Sequence, residues 1–196
     1  DGIEADKHLF DLIADEARFM PHLHLSLQHG DDLILKRMKR RHSSADARAF
    51  ADQVRRLRPE ISLGADMIAG FPTETEDMFE NAARLAEDCG IAHLHVFPYS
   101  PRPGTPAARM PQLDRGLVKD RAARLRAVGA MLYAHHLDGM VGSEQTILVE
   151  NNGLAHTQNF TLVDAVGLTP RALVPVSITG HNGKHLTMQV KQMAAA

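Results

Sequence analysis

Two histidine pairs sit at the spacing of strand neighbours, His22-x-His24 and His93-x-His95. Residues at i and i+2 of a β-strand share a face, so each pair could chelate one divalent metal ion. Some metal-dependent hydrolases on βα barrels use a His-x-His strand in this way. The pattern equally suits packing at a strand's start or middle. No third carboxylate or histidine stands out at a matching strand mouth, so metal-dependent hydrolysis is an alternative reading and not the leading one. The run His22–Gln28 alternates strictly, with Leu23, Leu25 and Leu27 on one face and His22, His24, Ser26 and Gln28 on the other. Ser26 and Gln28 fall at the strand's C-terminal mouth, where βα folds hold ligands. Both can hydrogen-bond a polar small molecule.

A second candidate stretch is Asp66–Thr75, "DMIAGFPTET". An apolar run carrying one acid stops at a glycine and turns into a helix. Gly70 would let the backbone approach a flat ligand, and Ile68 would offer that ligand an apolar wall. Glu74 suits the first turn of a helix, where its simplest role is to hold the turn's backbone donors. Thr73 and Glu76 have the spacing of a capping box. Between these stretches lies Leu35–Ser43, "LKRMKRRHS", with Lys36, Arg37, Lys39, Arg40, Arg41 and His42. Leu35 and Met38 would anchor it. The cations form either a solvated face or a grip on phosphate or carboxylate. The second is favoured because the run directly follows the Ser26/Gln28 strand end.

The elements that would position these groups alternate. Leu9, Leu12, Ile13 and Ala17 fit a helical face, and a helix around Asp46–Arg58 is stopped by Pro59. Strands are expected at Ile61–Ile68 and Ile91–Phe97, with a helix between them whose apolar face includes Met78, Phe79, Ala82, Leu85, Ala86 and Cys89. Strands separated by such helices imply a parallel sheet. The proline-rich Phe97–Pro111 is expected to be an ordered loop at a strand end. A helix follows from Leu117 to about Leu137, with Leu117, Arg121, Leu125, Val128 and Leu132 in step and Arg115, Arg124 and Arg126 solvated opposite. After Asp138 come short β-rich runs at Gln145–Glu150, Phe160–Val166, Leu173–Thr179 and Leu186–Val190, with Asn152-Gly153 and Asn182-Gly183 as hairpin turns. Met193–Ala196 is expected to fray.

The chain has 196 residues, 44% of them hydrophobic, and a net charge of −2, so no global positive field marks a nucleic-acid binder. One cysteine, Cys89, allows no disulfide framework and no self-contained thiolate cluster. A cytoplasmic protein is expected, with no membrane span. A chain opening on Asp1 is expected to be a piece of a longer protein.

"HLSLQHGDDLILKRMKRRHS", "GADMIAGFPTETEDMF" and "HVFPYSPRPGTPAARM" occur in this order and at these spacings. Together they resemble the C-terminal half of the radical S-adenosylmethionine domain of tRNA methylthiotransferases, in the branch acting on threonylcarbamoyladenosine. The β-rich tail resembles that family's RNA-binding TRAM module. The resemblance covers nearly the whole chain. It implies an α/β fold: the C-terminal half of a radical SAM partial barrel over residues 1–112, a linking helix over 113–138, and a small all-β barrel over 139–192. Half a barrel is also expected to expose an apolar sheet edge and face where the other strands belong.

By the same resemblance, Ile68, Gly70 and Glu74 match the "IxGxxE" motif of an adenine pocket, and Phe97 the strand whose backbone reads the adenine edge. Gln28 matches the "QSG" strand end near the ribose and methionine parts of S-adenosylmethionine, with Ser26 beside it, and Arg40 matches the arginine of "MxRxY". His29 and His42 depart from those two motifs, and Asp66 stands where the broader motif has Gly. The implied cofactors are S-adenosylmethionine and two [4Fe-4S] clusters, one splitting S-adenosylmethionine to a radical and one handling sulfur. The cluster ligands are absent from this chain, so no residue of it is assigned a catalytic or metal-ligating role. The chain is expected to be a fragment, inactive without the N-terminal portion of the same protein. The implied partner is the tRNA anticodon stem-loop, met by Lys36, Arg37, Lys39, Arg41, Arg102 and Lys184. A non-catalytic RNA-binding piece is a further alternative.

Overall fold

The computed structural model describes residues 5–191. The expectation for Met193–Ala196 lies outside them. The chain divides into two compact units, one running to Leu132 apart from residues 20–22, the other comprising residues 20–22 and the chain from Tyr133.

The first unit is built on a three-stranded sheet of order β1-β2-β3, formed by β1 (His22–Gln28), β2 (Ser62–Ala69) and β3 (His93–Pro98). β2 and β3 pair in parallel, with Asp66 opposite His95 and Ile68 opposite Phe97. Five helices accompany the strands: α1 (Lys7–Asp15), α2 (Asp32–Arg37), α3 (Ser44–Leu57), α4 (Glu76–Asp88) and the start of α5 (Arg115–Met140). α1, α3, α4 and α5 bury one face of the sheet. Leu25, Leu27, Leu63, Ala65, Met67 and Ala69 pack there against Phe50, Val54, Phe79, Leu85 and Leu125. The alternation expected for β1 is therefore present. Its leucine face is the core face, and His24 and Ser26 stay exposed. The open face is not the apolar one expected of half a barrel. It is largely polar, carrying His24, Ser26, Gln28, Asp66 and His95, with Ile68 and Phe97 as its apolar members.

Two local expectations are corrected. Thr73 does not cap α4. Its backbone is left-handed, at φ 68°, and its hydroxyl donates to the Pro72 carbonyl. Thr75 is the N-cap, accepting from Met78 N–H at 3.3 Å, and the helix begins at Glu76. The turn consumes two further residues because Glu74 folds inward. Arg124 and Arg126 are not simply solvated either. Arg124 pairs with Glu76 and lies 4.4 Å over the Phe79 ring, and Arg126 donates to the Val96 carbonyl.

The second unit is a closed five-stranded barrel of order β4-β5-β6-β8-β7, from β4 (Glu144–Val149), β5 (Leu154–Thr157), β6 (Leu162–Asp164), β7 (Leu173–His181) and β8 (Leu186–Val190). Its core joins Ile147, Val149, Ala155, Val163, Val176, Ile178 and Leu186 to Leu137 and Met140 from the end of α5. Gly153 and Gly183, at φ 77° and 85°, make the β4–β5 and β7–β8 turns that Asn-Gly signalled.

Candidate functional site

A cavity of about 690 Å³ opens at the C-terminal ends of the three strands of the first unit. Gln28, Asp66, Ile68, Phe97 and Pro98 line its floor. Arg37, Met38, Lys39 and Arg40 stand on one side, and Tyr99, Ser100, Arg102, Thr105 and Ala107 on the other. The volume is in the usual range for small-molecule sites. The lining chemistry is divided. Phe97 keeps 51% of its surface exposed and, with Ile68 beside it in register, presents an apolar wall. The lining also carries four cations, Arg37, Lys39, Arg40 and Arg102, suited to an anionic group.

The backbone around the cavity is held in a demanding conformation. Gln28 and Lys39, both lining it, have φ of 67° and 59°, and neighbouring Thr73 has 68°. Left-handed non-glycine residues persist only where surroundings over-determine them. Here the surroundings are visible. Asp31 caps α2 by accepting from Leu33 and Ile34 N–H. Arg37 donates to the Thr73 hydroxyl at 2.7 Å. His42 is buried, its Nε2 bonded to the Leu27 carbonyl at 3.1 Å. The two histidines that depart from the family motifs are thus both interior residues, since His29 is buried against Glu74 at 3.3 Å.

Glu74 and Gly70 lie beneath the cavity, outside its lining. The Glu74 carboxylate accepts from Gly70 N–H at 2.8 Å and Phe71 N–H at 3.1 Å, and from Arg121 at 3.1 Å. All of its acceptor capacity is turned to the protein. Gly70 has φ 78°, and a Cβ there would stand 2.8 Å from both Val118 methyl groups. Its bare backbone accommodates α5, so the room expected for a flat ligand is filled by Val118. Ser26 shares the open face without lining the cavity. Of the residues expected to meet RNA, Arg37, Lys39 and Arg102 line the cavity, Lys36 and Arg41 are exposed outside its lining, and Lys184 sits in the β7–β8 turn of the second unit.

The histidine pairs do not chelate as pairs. One member of each, His24 and His95, converges instead on Asp66. Asp66 is the third group that the sequence did not reveal, because strand register decides it. A surface on the second unit also lay outside the sequence reading. Phe160, 53% exposed and at φ 68°, stacks between His156 at 4.6 Å and His22 at 5.0 Å. Its loop is tied by Thr161 and Thr157, whose hydroxyls both donate to the Asn159 side-chain oxygen. A lone Phe in a polar stretch carries no periodic signal.

The sequence profile of the radical SAM superfamily matches residues 1–86. The chain is 52% identical over 160 residues to the threonylcarbamoyladenosine tRNA methylthiotransferase MtaB of Rickettsia prowazekii (strain Madrid E), covering 82% of this chain and 38% of that one. The chain is thus similar, over most of its length, to radical SAM tRNA methylthiotransferases. It is also 42% identical over 137 residues to a tRNA-2-methylthio-N(6)-dimethylallyladenosine synthase of Ruegeria pomeroyi (strain ATCC 700808 / DSM 15171 / DSS-3), covering 70% of this chain and 31% of that one. The chain thus spans 38% and 31% of the length of these relatives. Neither family member is named as a hydrolase, and the hydrolase reading gains no support.

This similarity raises the question of whether the residues present fit the cofactors of radical SAM proteins. The cavity fits S-adenosylmethionine in chemistry: an apolar wall for a ring, Gln28 and Asp66 for polar atoms, and cations for a carboxylate. An iron–sulfur cluster does not fit this chain. Its one cysteine, Cys89, caps α4 in the apolar core and is fully buried. Burial pushes that thiol up to about 11, away from the thiolate that ligates iron. Among the described residues, no helix is long and apolar enough to cross a membrane.

Proposed function

We propose that the chain is part of a tRNA methylthiotransferase that adds a methylthio group to carbon 2 of threonylcarbamoyladenosine beside the anticodon. The cavity at the strand ends would be its S-adenosylmethionine site. One observation carries this reading: Gln28, Arg40, Ile68 and Phe97, each matched to the family's cofactor residues by motif, line a single cavity. In this reading the first unit is the C-terminal half of a radical SAM barrel. The barrel of the second unit is a TRAM-like RNA-binding module, with α5 linking the two. The protein works in the cytoplasm and needs the N-terminal portion that carries the cluster cysteines.

S-adenosylmethionine, when bound, supplies the radical chemistry. The residues of this chain bind and orient it. Phe97 and Ile68 flank the adenine, Gln28 hydrogen-bonds its polar part, and Arg40 with Arg37 answers the carboxylate. Tyr99 and the Pro98–Pro106 loop exclude water from one side. Ser26 supports the same strand end, while Gly70 and Glu74 act indirectly, by fixing the turn under the cavity. Phe97→Ala in the cluster-reconstituted enzyme is expected to weaken S-adenosylmethionine binding by about tenfold or more in equilibrium dialysis, about 1.4 kcal/mol. Unchanged affinity in that variant and in Ile68→Ala would overturn the assignment of the cavity.

The tRNA is held in this reading by Lys36, Lys39, Arg41 and Arg102 around the cavity mouth, with Lys184 on the second unit. The second unit is otherwise poor in cations, and Lys191 is paired with Glu144. Each phosphate contact removed should lower the salt slope of binding by roughly 0.7–0.9. The quadruple alanine variant of Lys36, Lys39, Arg41 and Arg102 is therefore expected to flatten the slope by about three, and Lys184→Ala by one at most.

A further inference from the structure

The open face of the three-stranded sheet holds a cluster of which the cofactor reading uses Asp66 alone, as a cavity-lining group. His24 on β1, Asp66 on β2 and His95 on β3 stand side by side, one from each strand. Nε2 of His24 lies 2.9 Å from Oδ1 of Asp66, and Nδ1 of His95 lies 3.3 Å from the same oxygen. The donor atoms of the three all fall within 4.8 Å of one another. The two imidazole rings tilt together at 4.9 Å. The side chains keep 36%, 33% and 60% of their surface exposed, so an ion from solvent can reach them.

Metal–nitrogen and metal–oxygen bonds of about 2.0–2.2 Å place neighbouring ligand atoms of one ion roughly 2.9–3.5 Å apart. Both nitrogen–oxygen spacings, 2.9 and 3.3 Å, fall in that interval. We propose that His24, Asp66 and His95 form a binding site for one divalent first-row transition ion of the zinc or ferrous class. Two imidazole nitrogens with one carboxylate oxygen suit these ions and not magnesium or calcium, which take oxygen shells. The donors sit on three hydrogen-bonded strands, with Asp66 and His95 fixed opposite each other by register, so the site is preorganised. His22 and His93, the other members of the sequence pairs, take no part. Three protein ligands leave at least one coordination position open. Asp66 also lines the cavity, so the open position adjoins it, where an oxygen or sulfur donor of a bound molecule could complete the shell. The site is distinct from a thiolate-held iron–sulfur cluster. It does not require S-adenosylmethionine to occupy the cavity, and its failure would leave that assignment standing.

The test uses the chain stripped with EDTA and titrated with Zn²⁺ in competition with a chromogenic chelator. One equivalent is expected to bind. Its affinity should fall at least tenfold in His95→Ala and in Asp66→Asn, and should be unchanged in the double variant His181→Ala/His185→Ala, which removes two histidines paired with Asp138 and Asp164 on the second unit. His95 is the most exposed of the three, so its replacement should leave the fold intact, which far-UV circular dichroism checks. X-ray absorption of the zinc-loaded chain is expected to show two imidazoles and one carboxylate. No competing site, a site indifferent to both substitutions, or a shell lacking two imidazoles would each overturn the proposal.

Discussion

A carboxylate taken out of water must have its lone pairs answered by donors. Glu74 meets that condition with two backbone N–H groups, the guanidinium of Arg121 and the imidazole of His29. Arg121 is equally buried and also reaches the Glu74 carbonyl at 2.9 Å and the Glu76 carboxylate at 3.1 Å. The arginine that helical spacing placed in step with Leu117 and Leu125 is thus a core residue because Glu74 is one. Removing one partner of such a pair leaves an uncompensated buried charge, which costs about 3–5 kcal/mol. Glu74→Gln is expected to lower stability by that order in urea titration, with the midpoint moving and the slope unchanged. A loss below about 1 kcal/mol would mean that the pair is no tighter than a surface bridge. Cys89 makes a simpler case. It is sealed in the core and its thiol is pushed up to about 11 by burial. Native chain at pH 8 is expected to react with a thiol reagent only at the rate of local opening, and rapidly once denaturant is added.

At the scale of elements, the turn after β2 shows how one packing contact overrides a local reading. By its sequence, Asp66–Gly70 is a strand end shaped for a ligand. Gly70 is instead the point where α5 comes down on the turn, and both its φ of 78° and the Val118 methyls at 2.8 Å exclude a side chain. Gly142 has a similar φ, 84°, but a Cβ there would meet nothing within 4 Å. Gly70→Ala should therefore destabilise the chain by about 1–3 kcal/mol more than Gly142→Ala, the difference being overpacking. Val118→Ala in the Gly70→Ala background should recover part of it. Thermal unfolding of the three variants beside the parent chain measures this, and equal costs at the two glycines would refute the steric account. The same logic explains what the sequence could disclose. The alternation of β1, the apolar stripe of α4 and the Asn-Gly turns are local patterns, and each matches an element seen. β5 escaped because Leu154–Thr157 is only four residues long, and α2 because its cations hide a six-residue helix. Four residues that the motifs single out, Gln28, Arg40, Ile68 and Phe97, line the cavity. The His24–Asp66–His95 convergence was not, because it depends on which strands pair and in what register.

The molecule as a whole has two cores, one around Met67 and Leu85 and one around Ile147 and Ile178. The second core has beside it a titrating group whose proton affinity burial lowers. His136, on the part of α5 that joins the second core, is held below its ordinary value, first by burial and then by the charges of His22 and His135. Its Nε2 lies 2.8 Å from the Thr161 hydroxyl. In the unfolded chain this group takes a proton as pH falls through about 6.5, while the folded imidazole is still neutral. The unfolded state then binds more protons, so stability is full above that pH and declines below it until the folded imidazole itself protonates. Amide hydrogen exchange in β4, β5, β7 and β8 is expected to show protection falling between pH 7 and pH 5, after correction for the intrinsic exchange rate. His136→Gln should keep the neutral contact to Thr161 and remove part of that decline, with little change at pH 7. A decline as steep in the variant as in the parent chain would assign the acid sensitivity of the barrel to groups other than His136.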